Sequence, residues 1–208
     1  MSQPLARITS MMLQPESIDL AFDHFRNASA PLVRVQAGSL GIIGAGNRET
    51  GFGCAISFWD TRESLERSNA EPKVVEAMGG YAKWMAGPFR VESYTVHNGE
   101  PPEPNDAHRR GTWLRTTWVL TSPERRDDAL SVYEARLEAA RSSSPACVGT
   151  QLLAPQIGSR ILAIEHWTSL SALNAWNAEA SVEDQRLFRA GRVDESPERD
   201  TLEVFGLY

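Results

Sequence analysis

The stretch GCAISFWDTRESLERSNAE at 53–71 returns, much altered, as ILAIEHWTSLSALNAWNAE at 161–179. In both, an apolar run ends on a tryptophan, a hydroxyl residue opens a helical pattern, and Asn-Ala-Glu follows. Trp59 falls on Trp167, Leu65 on Leu173 and Asn69 on Asn177, an offset of 108 (167 − 59 = 108). The same offset runs outward without a gap. It places Arg7 and Thr9 on Arg115 and Thr117, Pro15-Glu16 on Pro123-Glu124, Asp19 on Asp127, Ala21 on Ala129, Gly41 on Gly149, and Ala55-Ile56 on Ala163-Ile164. Identity is low, yet the matches fall at equivalent places in the local pattern, as a duplicated unit requires.

Each copy reads β-α-β-β-α-β. A first strand (6–12; 113–121) is stopped by Pro15 or Pro123, each set at the first turn of a helix beside a glutamate. The helix carries an apolar stripe, Ile18, Ala21, Phe22 and Phe25 in one copy and Ala129, Leu130, Tyr133 and Leu137 in the other. Strands at 39–45 and 53–59, and at 147–154 and 161–167, are joined through residues suited to hairpins. A second helix starts at Thr61 or Ser169, and a last strand (91–97; 201–207) closes each copy. This order is the split βαβ of ferredoxin-like folds, whose uncovered sheet face needs a partner. The expected fold is therefore α+β: two ferredoxin-like βαββαβ repeats packed sheet to sheet as an intramolecular dimeric α+β barrel. Expected boundaries are 1–97 for the first repeat, 98–110 for a Pro-rich linker and 111–208 for the second.

Composition narrows the function classes. No apolar run is long enough to span a bilayer, and the first residues lack a secretory pattern, so a soluble, cytoplasmic protein without membrane partners is expected. Cys54 and Cys147 each sit inside a strand and read as buried free thiols. Net charge is −6 and basic residues cluster no further than Arg109-Arg110 and Arg125-Arg126, against nucleic-acid binding. The four histidines, His24, His97, His108 and His166, lack metal-ligand spacing, so no metal is expected. The run Gly41 to Gly46 suggests a dinucleotide loop but continues into a strand with Glu49 where a third glycine belongs, so no nucleotide cofactor follows. No Ser-His-Asp or Cys-His pattern supports a hydrolase.

Both copies share a tryptophan, Asp or Thr, a hydroxyl residue, two variable positions, Ser or Ala, and leucine (59–65; 167–173), followed by Asn-Ala-Glu. With the glycine-bearing second strand, this resembles the antibiotic biosynthesis monooxygenase-like family of the dimeric α+β barrel superfamily. The resemblance implies oxygenases acting without cofactor on electron-rich aromatic substrates, haem-degrading enzymes, or proteins of other roles. In haem degraders a tryptophan of the second helix precedes a histidine ligand by about ten residues. Trp176 fits the tryptophan, but Arg186 stands at the ligand position, and Ser68 and Met78 occupy the pair in the first copy.

The candidate catalytic residues are His166, Arg115 and Glu165, and the candidate substrate-binding residues are Trp118, Trp167, Trp59 and Trp176. Alternation puts His166 with Leu162 and Ile164 on the face expected to meet the helices, beside Thr116 and Trp118. Glu165 falls on the other face with Arg115 and Thr117, as an ion pair between the copies or a polar handle in a cavity. Each also has a purely structural reading: His166 as a hydrogen-bonded core histidine, the pair as an internal ion pair, and the tryptophans as core. Ser57 stands in the first copy where Glu165 stands in the second, so the halves have diverged. The expected function is cofactor-independent oxygenation of a planar aromatic or quinol-type small molecule by a monomeric pseudo-dimer, with further self-association left open. The alternative is a non-catalytic small-molecule binder or stress-associated protein, with haem binding ranked below it.

Overall fold

The computed structural model describes residues 3–101, 112–189 and 195–208, apart from the side chains at 180, 181, 184 and 187. Most of the expected linker, and His108 with it, lies outside the described residues. The first repeat runs β1 (Leu5–Met12), α1 (Ile18–His24), α2 (Ala30–Arg34), β2 (Ser39–Gly46), β3 (Phe52–Trp59), α3 (Arg62–Ala70), α4 (Pro72–Gly79) and β4 (Arg90–Asn98). The second runs β5 (Trp113–Leu120), α5 (Arg126–Ser143), β6 (Cys147–Pro155), β7 (Arg160–Trp167), α6 (Leu170–Arg189) and β8 (Glu198–Leu207). Hydrogen-bonded strands neighbour one another in the order β1-β3-β2-β8-β5-β7-β6-β4. Within it, β4-β1-β3-β2 and β8-β5-β7-β6 each keep the ferredoxin-like arrangement.

By packing, one unit holds the chain to Tyr94 and regains Glu203–Tyr208, while the other holds Thr95–Glu100 and the second repeat to Leu202. In the first unit β2 takes the end of β8, with Ala45 opposite Val204 and Gly46 opposite Glu203.

The register repeats at the expected offset. Arg7 pairs with Ser57 as Arg115 pairs with Glu165, and Leu5 with Trp59 as Trp113 with Trp167. The bulge also repeats: Ser39 and Gly41 flank it in β2, Cys147 and Gly149 in β6. Gly41 adopts φ 141, a backbone that a side chain would strain, so the glycine run marks a bulged strand. Both cysteines are buried, and neither is in a disulfide.

The helices differ more than the strands. In the second repeat α5 is one uninterrupted helix. In the first, the same run is broken by a π-helical segment, Phe25–Ser29, between α1 and α2. After β3, Glu71 is extended ahead of Pro72 and separates α3 from α4, because the proline ring disfavours helical geometry in the preceding residue. Its counterpart α6 continues through that point.

The face assignment expected from alternation is reversed. Val119, Ile161 and Ala163 pack with Leu130, Tyr133 and Leu137 of α5, so odd-numbered residues of β5 and β7 face the helices. Arg115, Glu165 and Trp167 share that helix-side face, while His166, Leu162, Thr116 and Trp118 occupy the other. Both faces are buried, so hydrophobicity along the strand carries no sign that tells one from the other.

Candidate functional site

The helix-side face of the first repeat is built from alternate residues of two paired strands: Arg7, Thr9 and Met11 on β1, and Gly53, Ala55, Ser57 and Trp59 on β3. Arg7 is 8% exposed. Its Nη1 donates to Asn69 Oδ1 from α3, and its guanidinium lies 5.5 Å from the centre of the Trp59 ring. The Trp59 indole N–H donates to Ser57 Oγ at 3.0 Å. No carboxylate among the described residues lies within ion-pairing distance of Arg7, and burial pulls its pKa down to about 10, which leaves it charged at neutral pH.

Two small cavities adjoin this cluster and share Met11, Phe25, Ala55 and Tyr81. One is apolar, closed by Leu13, Phe22, Gly53 and Phe205. The other brings Arg7, Thr9, Ser29 and Ser57 against Val33, Ile42 and Met78. The π-helical segment supplies both Phe25 and Ser29, a common use of π-bulges at sites. Ser29 Oγ and Tyr81 Oη are hydrogen-bonded at 3.1 Å, and burial pushes the Tyr81 phenol up to about 12, so it remains a neutral donor. His24 is committed beside it: Nε2 meets Ala77 O at 2.8 Å, and its ring is edge-on to Tyr81 and Trp84.

The second repeat assembles the same parts with one exchange. Arg115 Nη1 donates to Asn177 Oδ1 at 2.8 Å, as Arg7 does to Asn69. Where Ser57 stands in the first repeat, Glu165 accepts from Arg115 Nη2, and its second oxygen accepts the Trp167 indole N–H at 3.1 Å. Arg115 and Glu165 are 1% and 2% exposed, so water reaches neither. Burial raises the Glu165 carboxyl above the usual range, with Arg115 and the Trp167 N–H pulling against it. Trp176 lies on Trp167 with ring centres 6.4 Å apart.

Of the residues expected at the site, the structure therefore brings together Arg115, Glu165, Trp167 and Trp176. Trp59 belongs to the first-repeat cluster. His166 and Trp118 lie on the opposite face of the second sheet. There His166 Nε2 meets Gln151 Oε1 at 2.6 Å, and Gln151 Nε2 donates to Glu100 O at 2.9 Å. With Gln151 Nε2 donating to Glu100, Gln151 Oε1 accepts from His166 Nε2, and burial lowers the His166 pKa to about 4, which leaves the ring neutral at neutral pH. The Trp118 ring lies 4.5 Å from the Arg160 guanidinium carbon. The expected candidates did not include Arg7, Ser57, Ser29 or Tyr81. The Ser57/Glu165 divergence was the available signal for the first two, while Ser29 and Tyr81 meet only through the π-helical segment and the turn after α4.

Among the described residues, no group of three or more His, Cys, Asp or Glu is placed to hold a metal ion. Arg186, at the position of a haem degrader's histidine, faces solvent and pairs with Glu183 at 3.5 Å. No described helix is long and apolar enough to cross a membrane.

Residues 119–185 match the antibiotic biosynthesis monooxygenase family. That match lies within the second repeat and covers about a third of the chain. Across the whole chain, the fold is similar to that of an anthrone oxidase-like protein (TM-score 0.73, 15% identity, 100% of this chain and 93% of the other). It is similar also to that of a candidate monooxygenase from Fusobacterium nucleatum (TM-score 0.75, 9% identity, 99% and 94% covered). At such identities the likeness concerns the fold. In sequence, 131 residues are 28% identical to an uncharacterized protein of Mycobacterium tuberculosis, covering 62% of this chain and 52% of that one. A second uncharacterized protein of that organism is 26% identical over 132 residues, 62% of this chain and 56% of the other. The chain thus spans about half the length of the curated relatives it matches.

Proposed function

We propose that this antibiotic biosynthesis monooxygenase-like protein oxidises a small, planar aromatic or quinol-type molecule without a cofactor, in the helix-side cavity of the first repeat. The observation that carries the reading is a cavity with aromatic and methionine walls and a few convergent polar groups: Arg7, Thr9, Ser57 and the Ser29–Tyr81 pair. Apolar walls accept a flat ring, and the polar groups orient it. The cavities are small as they stand, so a ring enters by displacing side chains such as Met11 and Met78, whose unbranched chains adapt at low cost.

In such a reaction an anthrone or quinol loses a proton, and the anion, its charge spread onto a ring carbon that bears hydrogen, passes one electron to O₂. The two radicals join as a peroxide, which loses water to leave a new carbonyl. One oxygen atom ends in product and one in water, and all four electrons come from the substrate. The lining residues include no carboxylate or imidazole, and Tyr81 remains protonated at neutral pH. The protein's part is accordingly electrostatic: a charged Arg7 in a poorly hydrated pocket favours the substrate anion. The second-repeat cluster of Arg115, Glu165, Trp167 and Trp176 has the same architecture already occupied by its own carboxylate, and its role in this reading is structural.

Oxygen consumption over a panel of anthrones and hydroquinones tests this. Uptake above that of heat-inactivated protein, lost in Arg7→Met, is expected, and a flat panel would remove oxygenase chemistry. The absence of a general base among the lining residues favours a second reading, a non-catalytic carrier, which predicts ligand-dependent tryptophan quenching without turnover.

A further inference from the structure

The two repeats answer the same electrostatic problem in different ways. Each buries an arginine on the helix-side face, holds it with an asparagine one helix away, and sets a strand-end tryptophan beside it. In the second repeat the remaining place is filled by the Glu165 carboxylate, bound to Arg115 and to the Trp167 N–H. In the first, Ser57 is one methylene shorter and ends in a hydroxyl instead of a carboxylate, and a cavity opens beside Arg7. A buried guanidinium without a counter-ion is costly, which makes the first repeat an incomplete copy of the second. We infer that the first-repeat cavity binds a small molecule carrying a carboxylate, which sits where Glu165 places its own carboxylate in the second repeat. Its oxygens accept from Arg7 and from the Ser57 hydroxyl, and the planar guanidinium suits a two-oxygen acceptor. The rest of the ligand extends along Thr9 and Phe25 toward Tyr81. The inference rests on the proposed site and adds the ligand's charged group.

Benzoate and benzamide share shape and differ in charge, so calorimetry of the full chain with each is the direct measurement. Benzoate is expected to bind once per chain and at least tenfold more tightly than benzamide. Ser57→Glu, which supplies Arg7 with the carboxylate its counterpart already has, is expected to fold and to lose benzoate binding at least tenfold. Undetectable benzoate binding at millimolar concentration, equal affinity for benzamide, or benzoate held undiminished by folded Ser57→Glu would each overturn the inference. The comparison on the unmodified protein decides the matter even where a variant fails to fold. Oxygen uptake separates this inference from the oxygenase reading. Benzoate binding without turnover leaves the carboxylate site standing and removes the chemistry, whereas turnover of neutral quinols that benzoate does not inhibit does the reverse.

Discussion

Position for position, the second repeat is filled where the first is empty. Glu165 stands against Ser57, Ile161 against Gly53 and Leu152 against Gly44, all within strands of matching register. The continuous helix α5 stands against a run broken by a π-helical segment. These differences act together: small strand residues make room, the π segment turns Phe25 and Ser29 into that room, and the missing carboxylate leaves a cation facing it. A duplicated unit allows such a division, because one copy can hold the fold while the other gives up packing for a cavity. Glu165→Ser, which copies the first repeat into the second, is the harshest test. It strands Arg115, 1% exposed, without its carboxylate, and removing one partner of a buried pair costs about 3–5 kcal/mol. Urea denaturation should show that loss, and replacing both partners with Arg115→Met and Glu165→Leu should recover most of it. A loss below about 1 kcal/mol would mean that Arg115 is already satisfied elsewhere.

The opposite sheet faces differ as well. The second repeat buries His166 on Gln151, and the first has Phe58 and Ile43 at those positions, both buried. The folded pKa of His166, about 4, lies below its usual 6.5, so the fold binds the proton less readily than the unfolded chain does. Its contribution is present above pH 6.5 and is lost as pH falls from there through about 4. The gap between 6.5 and about 4 corresponds to about 3.5 kcal/mol at most. Unfolding free energies between pH 7 and 4.5 should fall more steeply in the natural protein than in His166→Phe with Gln151→Ile, which imports the first repeat's pair. Equal slopes would place the acid sensitivity elsewhere.

Within the first repeat, Gly44 is a smaller test of the same division. A Cβ there would lie 2.5 Å from Phe25 and 2.6 Å from Phe205, so those rings occupy the space that the Leu152 side chain takes in the second repeat. Gly44→Ala should cost about 1–3 kcal/mol through overpacking and weaken any ligand bound against Phe25. A neutral result would show that the two rings shift freely.

Much of the architecture was legible in the residues. The offset carried by Trp59 and Trp167 located every strand to within a few residues and superposed Gly41 on Gly149, the two glycines that the structure places at the bulges. What alternation could not supply was which face looked toward the helices. Both faces of these strands are buried, and the deciding contacts, Asn69 to Arg7 and Asn177 to Arg115, join residues 62 positions apart. The π-helical segment was equally hidden, since Phe25 and Ser29 fit an ordinary helical pattern until the helix must reach Tyr81. The Ser57/Glu165 exchange could be read as divergence, but only the register turns it into an open place beside a buried cation.

Where the repeats agree, equal effects are expected, and the helix caps give the gentlest comparison. Thr61 Oγ1 accepts from the Ser64 N–H at 3.2 Å at the start of α3, and Ser169 Oγ accepts from the Ala172 N–H at 3.3 Å at the start of α6. Each satisfies an amide that the helix's first turn leaves without a partner, and loss of such a cap costs about 1 kcal/mol. Thr61→Ala and Ser169→Ala should therefore lower stability by similar amounts. A larger cost for Thr61→Ala would be informative. α3 ends at Ala70 and adjoins the cavity through Asn69, whereas α6 runs on to Arg189 and spreads the loss over a longer helix. An excess on the first side would mean that Arg7 depends on the short helix keeping Asn69 in place, and Asn69→Ala should then weaken benzoate binding more than either cap variant does.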